Sequence, residues 1–189
     1  MLAAKTGYRG GAAIEIAKHV PVTGGMGGIG TAICQRLAKD GFTVVAGCGP
    51  TRDHAKWIDE QKALGHTFYA SVGNVGDWES TVEAFAKVKA EHGPVSVLVN
   101  NAGVLANFRV DAVDEDQLAG VFRANVFSAY FCSREAILRM STAKGGKGGV
   151  IINMSSVAVR LGGLGGGAAY AASKGAIDAF TLALAKEVG

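Results

Sequence analysis

No stretch of the 189 residues runs continuously apolar for about 18 positions, and the first residues lack the basic stretch and apolar core of a secretory leader. A membrane span and leader-directed export are therefore not expected, and the chain reads as soluble and cytoplasmic. Cysteine is scarce: Cys34, Cys48 and Cys132 are odd in number, widely spaced and without a CxxC pair. That argues against a disulfide framework or a zinc cluster and leaves buried free thiols. The four histidines, His19, His54, His66 and His92, show no ligand spacing, so no metal site is expected. Charge of one sign is not concentrated anywhere. The net +3 is spread along the chain, which argues against a nucleic-acid surface.

What is present is apolar and regularly punctuated. With 49% hydrophobic residues, the chain is long enough for one domain with a substantial core. Short β-branched runs near 18–23, 43–48, 67–71, 95–100 and 149–154 alternate with helical stretches near 28–40, 53–64, 77–92, 114–141 and 168–188. Such alternation predicts an α/β fold, a doubly wound parallel sheet covered on both faces. Pro21 falls inside the first strand, where it removes a ladder N–H, and the expectation is a shortened or bulged strand. Asp114, Glu115 and Asp116 are read as first-turn acids that complement a helix dipole. Lys144-Gly-Gly-Lys147-Gly-Gly reads as a loop.

Two patterns carry chemistry. The first is Thr23-Gly24-Gly25-Met26-Gly27-Gly28-Ile29-Gly30, set between an apolar strand and a helix whose Ile29, Ile33 and Leu37 form one stripe. Gly24 permits a sharp turn, Gly28 lets a pyrophosphate approach the backbone, and Gly30 lets helix and strand pack closely. The free N–H groups and dipole of the helix then face the phosphates. Without a ligand the same stretch is simply a flexible loop. The second is Tyr170-Ala-Ala-Ser-Lys174, in which Tyr170 and Lys174 lie one turn apart on one helix face. A neighbouring ammonium acidifies a phenol and suits it to general acid work. Alone, this spacing also fits an ordinary amphipathic helix.

In chain order, the glycine turn, Asn100-Asn101-Ala102-Gly103, Asn125, Ser155-Ser156 and Tyr170 with Lys174 resemble the short-chain dehydrogenase/reductase family in its compact single-domain branch. The resemblance implies a Rossmann-like strand order 3-2-1-4-5 and a domain spanning 18–189 that stops before the last two strands. An exposed edge on the fifth strand would follow. Residues 1–17 match no pattern and are left unassigned. The implied catalytic residues are Asn125, Ser156, Tyr170 and Lys174. Tyr170 would give a proton to a carbonyl oxygen, Lys174 would assist it and bond the nicotinamide ribose, Ser156 would hold the substrate oxygen, and Asn125 would anchor a water leading to Lys174. Ser155 stays open as the alternative to Ser156. The implied cofactor-binding set is Thr23, Gly24, Gly28, Ile29, Gly30, Arg52, Asn74, Val75, Asn101, Ala102 and Gly103, together with Tyr170 and Lys174.

The end of the second strand, Ala46-Gly47-Cys48-Gly49-Pro50-Thr51-Arg52, carries no acid until Asp53. An acid there would repel a 2′-phosphate, whereas Arg52 could pair with one, so NADPH is expected over NADH. The alternative makes Arg52 a solvated loop residue and Asp53 a helix cap. Residues 23–99 are similar to the bacterial acetoacetyl-CoA reductases of polyhydroxybutyrate synthesis, which implies a 3-oxoacyl thioester substrate. From Asn101 onward the similarity shifts to relatives acting on other alcohols, sugars or ketones, and a nucleotide-binding fragment without turnover is the third reading. Relatives in this family are usually homo-tetramers or homo-dimers, so self-association is expected.

Overall fold

Parallel neighbours cannot be joined by hairpins, so each short apolar run must be followed by a crossover, which the sequence supplies as helices. The computed structural model describes residues 19–163 and 165–189; the unassigned segment 1–17, Lys18 and Leu164 lie outside them. Five strands, β1 His19–Val22, β2 Thr43–Cys48, β3 Tyr69–Val72, β4 Val97–Asn100 and β5 Val150–Asn153, pair in parallel in the order β3-β2-β1-β4-β5. Helices α1 Gly28–Lys39, α2 His54–Ala63, α3 Trp78–His92, α4 Glu115–Phe122, α5 Ser128–Met140, α6 Ala158–Leu161 and α7 Ala168–Val188 complete the fold.

Alternate residues of each strand feed two cores. Val20, Val22, Val44, Ala46 and Val99 pack with Ile33 and Leu37 of α1 and Trp57 of α2. Val45 and Leu98 point the other way, onto Phe85 and Val88 of α3 and Cys132, Ala136 and Met140 of α5. Both sheet faces are thus apolar, as a covered parallel sheet requires. On the edge strand β5, by contrast, Val150 and Ile152 are exposed.

Of the expected stripe, Ile33 and Leu37 pack against the core, while Ile29 is 67% exposed. Two expectations need correction. The helix expected over 114–141 is interrupted by a π turn at Arg123–Phe127, after which α5 continues to Met140. Pro21 does not bulge β1, which pairs residue for residue with β2 from His19↔Thr43 to Val22↔Ala46. Its cost falls on the other side. His19 and Thr23 face β4, through Ser96 N–H to the His19 carbonyl at 3.1 Å and Thr23 N–H to the Val99 carbonyl at 3.0 Å. Pro21 lies midway between them, so the donor it lacks is the intervening rung toward β4.

The polar ends agree with the sequence. Asp114 caps α4 in a reciprocal box with Gln117, at 2.7 Å and 3.2 Å, with Glu115 and Asp116 in the first turn. Cys34, Cys48 and Cys132 are free and buried. Burial pushes the Cys34 and Cys132 thiols up to about 12.

A pH dependence follows from those two thiols. Their folded-state values lie above the ordinary 9.0, so between 9.0 and about 12 the folded chain keeps protons that the unfolded chain releases. Stability from this source is fully present below 9.0 and falls as pH rises through that window. Urea midpoints taken at several alkaline pH values should decline, and the Cys34→Ala/Cys132→Ala variant should decline less steeply. An equal slope in the two proteins would remove the thiols as the cause.

Candidate active site

The strand order reverses at β1, whose neighbours are β2 and β4, and the loops leaving β1 and β4 meet there and line one cleft. Its β1 side is the glycine turn. Gly24 has φ +61°, and a Cβ on it would lie 3.0 Å from the Ala102 Cα; a side chain on Gly30 would collide with the Gly24 carbonyl. Gly28 opens α1 with free space around its Cα. The cap residue Gly27 offers no side-chain bond, and no acid occupies the first turn of α1, so the N–H groups and positive dipole end face the cleft.

Thr23 and Asn101 clasp the two loops together. The Thr23 hydroxyl accepts the Asn101 and Ala102 amides, both at 3.0 Å, while Asn101 Nδ2 donates to the Thr23 and Gly24 carbonyls at 3.0 and 3.1 Å. These two expected contact residues therefore spend their side chains inside the protein. Gly24, Gly28, Ile29, Gly30, Arg52, Asn101, Ala102 and Gly103 all line one open cavity of about 520 Å³. Asn74 and Val75 line an adjoining apolar cavity of about 150 Å³, which shares Gly24, Cys48 and Ala102 with the first.

Arg52 and Asp53 divide along the lines left open by the sequence. Asp53 caps α2, accepting the Lys56 amide at 3.0 Å. Arg52 turns the other way and donates to the Met26 carbonyl of the glycine turn at 3.1 Å. It thus stands over the cleft with further guanidinium donors available. Between the cavities, Cys48 is raised by burial and partly pulled back by the Arg52 charge.

At the β4 end, Lys174 on α7 is 6% exposed, and its Nζ donates to the Met154 carbonyl at 2.8 Å. Burial lowers its pKa from the ordinary lysine value. A Cβ on Gly103 would lie 3.0 Å from Asn125 Oδ1 and 3.5 Å from Lys174 Nζ, so the missing side chain is what lets those groups converge. Asn125, at the centre of the π turn, is 1% exposed. Its Oδ1 accepts the Val104 amide at 2.7 Å, and its Nδ2 donates to the Val104 carbonyl at 3.0 Å and to the Ser173 hydroxyl at 2.9 Å. Both amide hydrogens are committed, so only the oxygen is left to serve Lys174.

Tyr170 is half-buried, one turn before Lys174 on α7. Ser156 accepts the Ala158 amide at 3.1 Å at the start of α6. It lines, with Ser155, Arg160 and Asp178, a cavity of about 470 Å³ that shares no residue with the glycine-turn cleft. The geometry thus joins Asn125 and Lys174, and leaves both serines facing one space. Sequence reading missed Ser173, which stands three residues after Tyr170 and was visible only as an unexplained hydroxyl on the same helical face.

The sequence profile described as short chain dehydrogenase matches residues 18–189. Acetoacetyl-CoA reductase of Cupriavidus necator is 48% identical over 168 residues, 88% of this chain and 67% of that protein. Two solved structures superpose with a TM-score of 0.80. A blue fluorescent protein from a metagenomic library, in complex with NADPH, is 31% identical and covers 91% of this chain and 69% of its own. A short chain dehydrogenase from Burkholderia cenocepacia, in complex with NADP, is 29% identical and covers 92% and 69%.

The Asn125 tether sets a stability expectation. Asn125→Ala removes three hydrogen bonds, at an expected cost of about 3 kcal/mol. Urea unfolding measures it, and a loss below about 1 kcal/mol would mean that the tether is not formed in solution.

Proposed function

The chain belongs to the short chain dehydrogenase family, and from that membership we propose that it is an NADPH-dependent carbonyl reductase. Its substrate in this reading is a 3-oxoacyl thioester, acetoacetyl-CoA, reduced to the 3-hydroxyacyl thioester. The convergence of Lys174 Nζ and Asn125 Oδ1 at Gly103, next to the uncapped α1 N-terminus, carries the reading. In this reading Lys174 is the proton-handling group and the α1 N-terminus the anion-binding end, with Gly103 lining the same cavity as that helix end. The identity to acetoacetyl-CoA reductase supports the substrate.

The residues fit a dinucleotide phosphate. The cavity beside the glycine turn has the free helix N–H groups that a pyrophosphate needs, and Arg52 offers guanidinium donors to a 2′-phosphate. Asn74 and Val75 would line the adenine side, and Ala102 and Gly103 the backbone beside it. Bound reduced nicotinamide supplies the hydride that the carbonyl carbon accepts.

The protein's own groups handle the oxygen. Ser156 would hold the carbonyl oxygen by its hydroxyl, and Tyr170 would give that oxygen its proton as negative charge develops. Lys174 stands one turn away, its Nζ held in place by the Met154 carbonyl. Asn125 keeps the Val104 loop, and with it Gly103, against Lys174. Homo-oligomer formation is part of the same proposal.

NADPH oxidation in the presence of acetoacetyl-CoA tests the reading. Turnover is expected in the wild-type chain and a loss of at least about a hundredfold in Tyr170→Phe, the scale of a missing general acid. Cofactor binding without turnover of acetoacetyl-CoA, simple ketones, sugars or alcohols would refute the reductase assignment. Turnover of another of these compounds would move the substrate class. Arg52→Gln should weaken NADPH by about tenfold to a hundredfold while leaving NADH within about twofold, because only the former has a charged bond to lose. Fluorescence titration of both nucleotides reads this, and parallel weakening would place Arg52 outside the phosphate site.

A further inference from the structure

α7 is fastened to the rest of the molecule by two hydroxyls that work in the same way. Thr181 Oγ1 accepts Asn153 Nδ2 at 2.9 Å and donates back along its helix to the Ile177 carbonyl at 2.7 Å. Two turns earlier, Ser173 Oγ accepts Asn125 Nδ2 at 2.9 Å and donates to the Tyr170 carbonyl at 2.7 Å. The direction is fixed, because an amide nitrogen can only donate and a carbonyl can only accept. Ser173 is 0% exposed, so no water competes for either bond.

A hydroxyl that bonds back along its own helix usually gains little and tends to bend the helix. Here the second bond changes its meaning. The Tyr170 carbonyl is the acceptor that helix geometry assigns to the Lys174 amide, so Ser173 bonds the same oxygen through which the helix ladder links the two residues of the pair. Through Asn125 the grip extends to both polar groups of Val104, in the loop that carries Gly103. One polar chain therefore runs from the cleft wall, through the π turn, to the backbone of Tyr170.

We propose that Ser173 is a positioning residue, whose hydroxyl between Asn125 and the Tyr170 carbonyl fixes how α7 presents Tyr170 and Lys174 to the cleft. Thr181 provides the internal comparison, since its bonds are of the same type but lie away from Tyr170. The catalytic part rests on the reductase reading; the mechanical part does not. A plain small residue at 173 would let α7 approach the π turn equally well, and the hydroxyl would then be silent.

The experiment compares Ser173→Ala with Thr181→Val in the full chain, by amide hydrogen exchange and by NADPH-dependent reduction of acetoacetyl-CoA. Ser173→Ala should speed exchange in 168–175 by more than about tenfold and lower kcat by about tenfold to a hundredfold, with NADPH affinity within about twofold. Thr181→Val should loosen only 176–188 and leave kcat within about twofold of wild type. Unchanged protection of 168–175 in Ser173→Ala overturns the proposal. So does an unchanged kcat, or an equal kcat loss in Thr181→Val. If the wild-type chain turns over nothing, the reductase reading fails and the exchange comparison alone decides the clamp. Should Ser173→Ala not fold, Ser173→Cys keeps the side-chain size with a weaker bond and should give the same pattern at smaller amplitude.

Discussion

The cleft exists because two loops approach more closely than side chains would allow. Gly24 sits against the Ala102 backbone, and the Thr23 hydroxyl and Asn101 amide stitch the gap with four hydrogen bonds. That clasp holds the N-terminus of α1 at the point where the strand order reverses, so a helix dipole and a row of free amides open onto the same space as the β4 loop. Without the close approach, the glycine turn would be a flexible loop.

The opposite wall relies on buried polar groups rather than on packing. Asn125, Ser173 and Lys174 are all nearly inaccessible, yet each has partners: Val104, Ser173 and Tyr170 backbone or hydroxyl groups for the first two, and the Met154 carbonyl for Lys174. A satisfied network of this kind rigidifies, and a half-satisfied one would cost more than an apolar replacement. The π turn belongs to the same logic. Its extra residue interrupts the helix at Asn125 and gives that side chain access both to the Val104 loop and to α7.

Much of this was readable from residue order. Runs such as Thr43-Val-Val-Ala-Gly-Cys48 are buried on both faces and announced a parallel sheet, and the first-turn acids at 115 and 116 proved to follow a capping box. The misreadings have specific causes. Periodicity put Ile29 on one face with Ile33 and Leu37, and a stripe says which residues share a face, not which of them the core covers. Proline chemistry foresaw a missing donor at Pro21, but which neighbour would lose it depends on the register of two ladders. The π turn escapes hydrophobic spacing because its buried residue, Asn125, is polar, while Phe127 is exposed.

Residue order is enough to give the succession of elements, the glycine positions that admit close backbone contact, and the one-turn spacing of Tyr170 and Lys174, because these depend on local geometry and short separations. Tertiary structure alone decided that Arg52 reaches the Met26 carbonyl, that Gly103 makes room for both Lys174 and Asn125, and that Ser173 bridges Asn125 to the Tyr170 backbone. Arg52 and Met26 lie 26 residues apart along the chain, and Asn125 and Ser173 lie 48 apart. Hydrogen bonds act over about 3 Å, and only the packed sheet and helices bring such distant groups within that range.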